Sequence, residues 1–215
     1  MNKDLTEMVF ILDRSGSMSG LETDTIGGYN SMIDKQKKEH GEATVTTVLF
    51  DDKCDIICEN ADINKVNHLT EREYFARGCT ALLDAIGKTI AMVSERHKTA
   101  PDSQIPFKTI VTIITDGYEN ASCEYSLARI KEMISLQEKE YGWEFLFLGA
   151  NIDAVEVAGG FGIAAHRAAT YSADSVGTRK NFEAVSNVTR DIRMGCNLSP
   201  NWKEDIENYR RKRGK

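Results

Sequence analysis

The sequence predicts an α/β domain: a mostly parallel sheet with helices on both faces. Two continuous apolar runs carry that expectation, Met8-Val-Phe-Ile-Leu12 and Lys108 to Ile114. Each is short, rich in strand formers and ends abruptly in polar residues, as central strands buried on both faces do. Between and after them lie segments with apolar residues at helical spacing, and such alternation of strand and helix favours parallel pairing.

The elements follow in chain order. After the first run comes a small-residue loop, Asp13-Arg-Ser-Gly-Ser-Met-Ser-Gly20, and then a helix from near Glu22 with Ile26, Tyr29 and Ile33 on one face. Gly41 is a natural stop after it. Thr44 to Phe50 reads as a second strand, Asp51-Asp52-Lys53 as a turn, and Cys54 to Cys58 as a strand returning antiparallel. Asn60 to Gly78 has no clear period and reads as a connection. Leu82, Leu83, Ile86, Ile90 and Val93 trace a second helix to about His97.

The second apolar strand ends at Thr115-Asp116-Gly117. Leu127, Ile130 and Ile134 mark a third helix, Trp143 to Leu148 a further strand, Asp153 to Ala158 a short helix and Arg167 to Tyr171 a last strand. Phe182, Val185, Val188 and Ile192 mark the final helix. Beyond Pro200 the chain turns polar and ends in the basic run Arg210 to Lys215, which reads as a solvated terminus.

Composition narrows the function. At 215 residues the chain suits one domain with some decoration, and it buries about 70% of its unfolded surface without a disulfide or structural metal. Lys and Arg total 27 against 33 Asp and Glu, a net charge of −6, which disfavours nucleic acid as the main partner because phosphate neutralisation needs a basic surplus. The five cysteines show no CxxC spacing; Cys54 and Cys58, four apart on one strand, stand about 13 Å from each other. Reduced thiols, a first segment without an apolar stretch and no apolar run of ~18 residues lead to the expectation of a cytoplasmic protein without a membrane span. Nothing in the sequence indicates its oligomeric state.

The chemistry gathers at strand ends. Asp13-x-Ser15-x-Ser17 places three oxygen side chains in alternation after one buried strand, Asp116 stands after another, and Thr80 precedes the second helix. In an open α/β sheet such positions meet at the carboxyl edge, where ligands bind. Two carboxylates and three hydroxyls are hard oxygen donors suited to Mg²⁺, while thiolates and imidazoles, the ligands zinc prefers, are absent from the pattern. Taken singly, each residue has a plainer role: Asp13, Ser15 and Ser17 as a capped turn, Thr80 as a helix N-cap. Asp51 and Asp52 read as turn residues, and the four histidines are scattered.

Together these residues resemble the von Willebrand factor type A domain with a metal-ion-dependent adhesion site. The match runs over about residues 5 to 195. The family pattern Asp-x-Ser-x-Ser, a distant Thr, and Asp in a Thr-Asp-Gly context falls on Asp13, Ser15, Ser17, Thr80 and Asp116. The resemblance implies a Rossmann-like, doubly wound sheet of six strands with one antiparallel edge strand. It also implies Mg²⁺ or Mn²⁺ held by the hydroxyls of Ser15, Ser17 and Thr80, with Asp13 and Asp116 acting mainly through water. The implied partner is a protein offering an Asp or Glu carboxylate to the open position. Cys79 stands where the family commonly has Gly. Asn151 and Asp153, after the Trp143 to Leu148 strand, are further candidates for partner contact.

The expected function is therefore a non-enzymatic binding module. The alternative is a Mg²⁺-dependent phosphoryl-transfer or hydrolytic enzyme with Asp13 as nucleophile. It lacks a second carboxylate at position 15 and any following Lys motif, and no GxxxxGK[ST] or GxGxxG supports nucleotide binding.

Overall fold

A computed structural model describes residues 1–214. Six strands form one sheet in the order β3-β2-β1-β4-β5-β6: β1 (Asn2–Asp13), β2 (Glu42–Phe50), β3 (Cys54–Asp62), β4 (Pro106–Thr115), β5 (Glu144–Ala150) and β6 (Ala168–Tyr171). All neighbours are parallel except β2 and β3, which form the hairpin at one edge. This is the doubly wound sheet expected from the two apolar runs, with the antiparallel strand where the Asp51–Lys53 turn put it.

Six helices flank the sheet: α1 (Glu22–Gln36), α2 (Leu82–Thr99), α3 (Leu127–Tyr141), α4 (Ala154–Phe161), α5 (Ser175–Arg193) and α6 (Glu204–Lys212). Alternation along β1 divides the core in two. Met8, Phe10 and Leu12 pack with Tyr29 of α1 and Phe182 and Val185 of α5. Val9 and Ile11 face the other way, onto Ile86 and Ile90 of α2 and Ile130 and Ile134 of α3. Leu127, a marker of the third helix, opens it but is exposed, and Met133 supplies the additional buried contact. No helix among the described residues is long and apolar enough to cross a membrane.

Three elements depart from the sequence reading. β1 begins at Asn2, ahead of the apolar run that opens at Met8, because its first residues are mostly polar yet pair with β2 and β4. β3 runs on past Cys58 to Asp62, through pairing irregularities and a left-handed Asn60 (φ 46°) that disturb the alternation a strand is recognised by. The C-terminal segment is not a loose solvated tail, since residues 204–212 form a helix docked on the domain. Ile206 is buried, Trp202 Nε1 donates to the His166 carbonyl at 2.7 Å, and Tyr209 Oη donates to Asp174 at 3.0 Å. A single apolar residue in a basic, polar stretch leaves no helical stripe to detect. Lys215, the last residue of the basic run, lies outside the described residues.

One buried charge fastens α2 to the sheet. Glu7 on β1 has no exposed surface. Arg96 and His97 of α2 reach its two oxygens at 2.5 and 2.7 Å, and Thr46 of β2 donates at 3.0 Å. Burial raises the Glu7 pKa, but hydrogen bonds from His97 and Arg96 and their charge outweigh it and hold the carboxyl below its ordinary 4.5. A depressed carboxyl contributes stability above its unfolded pKa and loses it as pH falls through the folded one. Glu7→Gln is accordingly expected to cost about 3 kcal/mol at pH 7. In urea titrations the gap to wild type narrows as pH falls below about 4.5; a gap constant with pH excludes this role.

Candidate functional site

The carboxyl edge of the sheet at β1 and β4 is where strand order reverses: connections from β1 run outward to β2 on one side and β4 continues on the other. Leu12 pairs with Leu49 and with Ile114, so Asp13 emerges beside Thr115, with Asp116 one residue beyond. Asp13 Oδ2 accepts from Thr115 Oγ1 at 2.5 Å, and its Oδ1 accepts from the Ser15 amide at 2.6 Å. The Asp13 carbonyl accepts from buried Tyr74 Oη at 2.5 Å. Asp13 thus caps the turn through Oδ1, while its Oδ2 is tied across the sheet edge to Thr115.

The other four predicted residues form a continuous cluster. Thr80 Oγ1 lies 3.0 Å from Ser15 Oγ, which lies 3.0 Å from Ser17 Oγ, and Ser17 Oγ donates to Asp116 Oδ1. Sixty-five residues separate Thr80 from Ser15, and ninety-nine separate Asp116 from Ser17. Thr80 does not cap α2: the N-cap position is Ala81, without a side-chain bond. Ser15 likewise makes no capping bond to the 3-10 turn Gly16–Met18. Their hydroxyls are turned to each other instead.

Three backbone bonds carry Thr80 into place. Arg77 N donates to the Arg14 carbonyl (2.9 Å), Gly16 N to the Gly78 carbonyl (3.1 Å), and Ala81 N to the Asp51 carbonyl (2.9 Å). Asn120 pairs with the Thr80 backbone in both directions, at 2.9 and 3.1 Å. The loop carrying Asn120 is itself held by Glu119, which accepts from Leu83, Ala121 and Ser122 amides, and by Asp84, which accepts from the amides of Cys123, Glu124 and Tyr125.

Asp51, read from the sequence as a plain turn residue, has a larger part. It is fully buried, its Oδ2 accepts from Arg14 Nε at 2.9 Å and Arg77 Nε at 2.7 Å, and its Oδ1 accepts from the Lys53 amide. Arg14 also pairs with Asp55 and donates to the Glu73 carbonyl. Arg14 lies between Asp13 and Ser15, so this buried pair fixes the path of the Asp-x-Ser-x-Ser loop. Nothing in the sequence marks it, because its members are thirty-seven residues apart. Arg14→Met is expected to cost about 3 kcal/mol in urea unfolding, since it strips a buried carboxylate of a partner. Arg14→Lys should not restore it, because an ammonium cannot span Asp51 and Asp55 as the guanidinium fork does. An unchanged midpoint in both variants excludes the clamp.

The electrostatics of the cluster are unbalanced. Burial pushes the Asp116 carboxyl up to about 6, and the neighbouring Asp13 charge pushes the same way, against the Ser17 hydrogen bond. Burial also raises Asp13, in spite of its bonds from Thr115 and Ser15. Among the described residues no cationic side chain pairs with either carboxylate, and Asp116 Oδ2 is buried without a hydrogen-bond partner. A Cβ on Gly117 would approach Ser17 Oγ to 3.3 Å and Thr80 Oγ1 to 3.5 Å, so the space over the hydroxyls is kept clear. Among the described residues no group of three His, Cys, Asp or Glu gathers as a metal-binding set. Any cation here would be held by hydroxyls with only two carboxylates, a donor set fitting a hard divalent ion.

Asn151 and Asp153 lie on the same edge of the sheet, after β5. Asn151 is exposed with left-handed backbone (φ 55°), while the Asp153 carboxylate caps α4 through the Val155 and Glu156 amides.

The sequence matches no family model and no curated protein. The fold, however, is that of von Willebrand factor type A domains. It is similar to proximal thread matrix protein 1 of the mussel byssus, determined with a zinc-occupied MIDAS motif (TM-score 0.59, 17% identity, covering 87% of this chain and 46% of that one). It is likewise similar to manganese-loaded TRAP protein of Plasmodium vivax (TM-score 0.57, 15% identity, 85% and 74%) and to a von Willebrand factor type A structure from Catenulispora acidiphila (TM-score 0.56, 15% identity, 87% and 43%). The chain spans less than half the length of the mussel and Catenulispora chains.

Proposed function

We propose that the protein is a divalent-cation-dependent protein-binding module that captures an acidic side chain of a partner. Buried Asp116 Oδ2, without a partner beside three converging hydroxyls, is the observation that carries this reading. Ser15, Ser17 and Thr80 would hold Mg²⁺ or Mn²⁺ through their hydroxyls, with Asp13 and Asp116 balancing its charge, directly or through water. A bound cation supplies Lewis acidity toward a carboxylate, and neutral hydroxyl ligands leave that acidity largely intact. The chain's own contribution is rigidity: Arg14, Asp51 and Asn120 hold the hydroxyls in place, and Gly117 leaves them accessible.

The enzymatic alternative is disfavoured because both Asp13 oxygens are already engaged, by Thr115 and by the Ser15 amide, and the residue is almost fully buried. A nucleophile needs an oxygen open to the substrate, and Asp13 is only 1% exposed. We further propose a cytoplasmic setting, on the cysteine usage alone.

Calorimetric titration with Mg²⁺, Mn²⁺ and Zn²⁺ tests the reading, zinc being included because the mussel neighbour held it. Thr80→Ala and Asp116→Ala are expected to weaken binding at least about tenfold, a loss of 1.4 kcal/mol or more, with circular dichroism unchanged. A cation at a hundred times its Kd should add about 2.7 kcal/mol of stability to wild type, removed by EDTA without unfolding the domain. Equal affinities in wild type and both variants would overturn the assignment.

A further inference from the structure

The two edges of the sheet differ. At β6 the helix α6 packs alongside, and Lys203 Nζ donates to the Ala168 carbonyl at 2.9 Å. At β3, among the described residues, backbone pairing comes from β2 alone. An open edge strand is a template for a further strand, and natural sheets blunt such edges with Lys or Pro. Residues 54–62 contain neither. Ile56 is 52% exposed, Ile57 36% and the adjoining Phe75 41%, and the three line one shallow recess. Phe75 is held there by the Arg77 and Arg14 guanidiniums, 4.9 and 5.7 Å from its ring centre.

The charges and the bulge of β3 make the strand complementary to itself. Both carboxylates in residues 54–59 are neutralised from within: Asp55 pairs with Arg14 and Arg77, and Glu59 with Arg96 of α2. Val48 of β2 pairs with Ile56 and Thr47 with Cys58, which leaves Ile57 as an extra residue. The extra residue turns Cys54 and Cys58 to opposite faces, so Cys54 packs on the α2 side of the sheet and Cys58 on the α1 side. An antiparallel copy of the strand, turned about a two-fold axis between Ile56 and Ile57, therefore meets this one with matching faces. Ile56 lies opposite Ile57, Asp55 meets Cys58 on the α1 side, and Cys54 meets Glu59 on the α2 side. No carboxylate faces another. A slip of one residue sets Asp55 against Glu59, and like charges directly opposite destabilise a pair.

We propose that the β3 edge receives a second copy of this chain, paired antiparallel across a two-fold axis at Ile56 and Ile57. A foreign strand could use the same backbone groups, but the matching of faces and charges belongs to this strand and its own copy. Antiparallel pairing points the carboxyl edges of the two sheets in opposite directions, so neither oxygen cluster is obstructed. The inference stands apart from the cation-dependent reading above.

Sedimentation velocity of the full chain across about 1–500 μM, the range of weak interfaces, tests it. The mass should rise from one chain to two with concentration, in EDTA and in Mg²⁺ alike. Amide hydrogen exchange should slow along residues 55–60 as the dimer forms. Ile57→Lys should weaken the dimer at least about tenfold with circular dichroism and Mg²⁺ affinity unchanged. Leu136→Lys, at an exposed apolar position on α3, should leave it intact. If Ile57→Lys unfolds the chain, the wild-type exchange pattern decides. A monomer at every concentration, a dimer protected away from β3, or a dimer indifferent to Ile57→Lys overturns the inference. A monomer whose β3 amides slow only when a foreign extended peptide is added assigns the edge to that occupant and overturns self-pairing.

Discussion

Two carboxylates on adjacent parallel strands, Asp13 and Asp116, are brought into one dry corner by the register of β1 against β4. Parallel pairing leaves no freedom here: once Leu12 lies opposite Ile114, the residues that end the two strands must share the same edge. Like charges so placed repel, and the groups that bond them are hydroxyls and backbone amides. Burial raises the pKa of both groups, and the Asp13 charge adds to the rise at Asp116. The hydroxyls of Ser15, Ser17 and Thr80 gather beside these carboxylates, so the corner presents oxygen atoms alone.

Around this corner the chain spends its strongest internal contacts on holding loops still. Arg14 and Asp51 form a buried ion pair, and such pairs contribute little net stability while specifying one arrangement over others. Glu119 and Asp84 each gather several backbone amides, a task that leaves their carboxylates saturated and unavailable as ligands. The acidic residues near the site thus divide by occupation. Those in loops are consumed by structure, whereas at the strand ends Asp116 keeps one oxygen without a hydrogen-bond partner among the described residues.

The fold shared with the mussel, Plasmodium and Catenulispora proteins persists at 15–17% identity. At that level packing patterns survive and particular residues mostly do not, so the neighbours speak for the sheet and its connections. What this chain binds rests on its own side chains and their unsatisfied atoms.

The sequence by itself determined the layer architecture, because apolar runs such as Met8–Leu12 and helical stripes such as Phe182–Ile192 report burial directly along the chain. It also determined which oxygen-bearing residues lie at strand ends, since Asp13 and Asp116 terminate recognisable strands. Only the tertiary structure decided that Thr80 sits 3.0 Å from Ser15, that Asp51 is a buried counter-ion, and that the last residues dock as a helix carrying Arg210. The reason is physical: local patterning encodes which face of an element meets the core, but contacts between residues tens of positions apart are fixed by loop paths and strand register. Neither leaves a period in the sequence, and for the same cause the disturbed alternation of β3 hid its continuation to Asp62 and the lone apolar contact of α6 hid that helix.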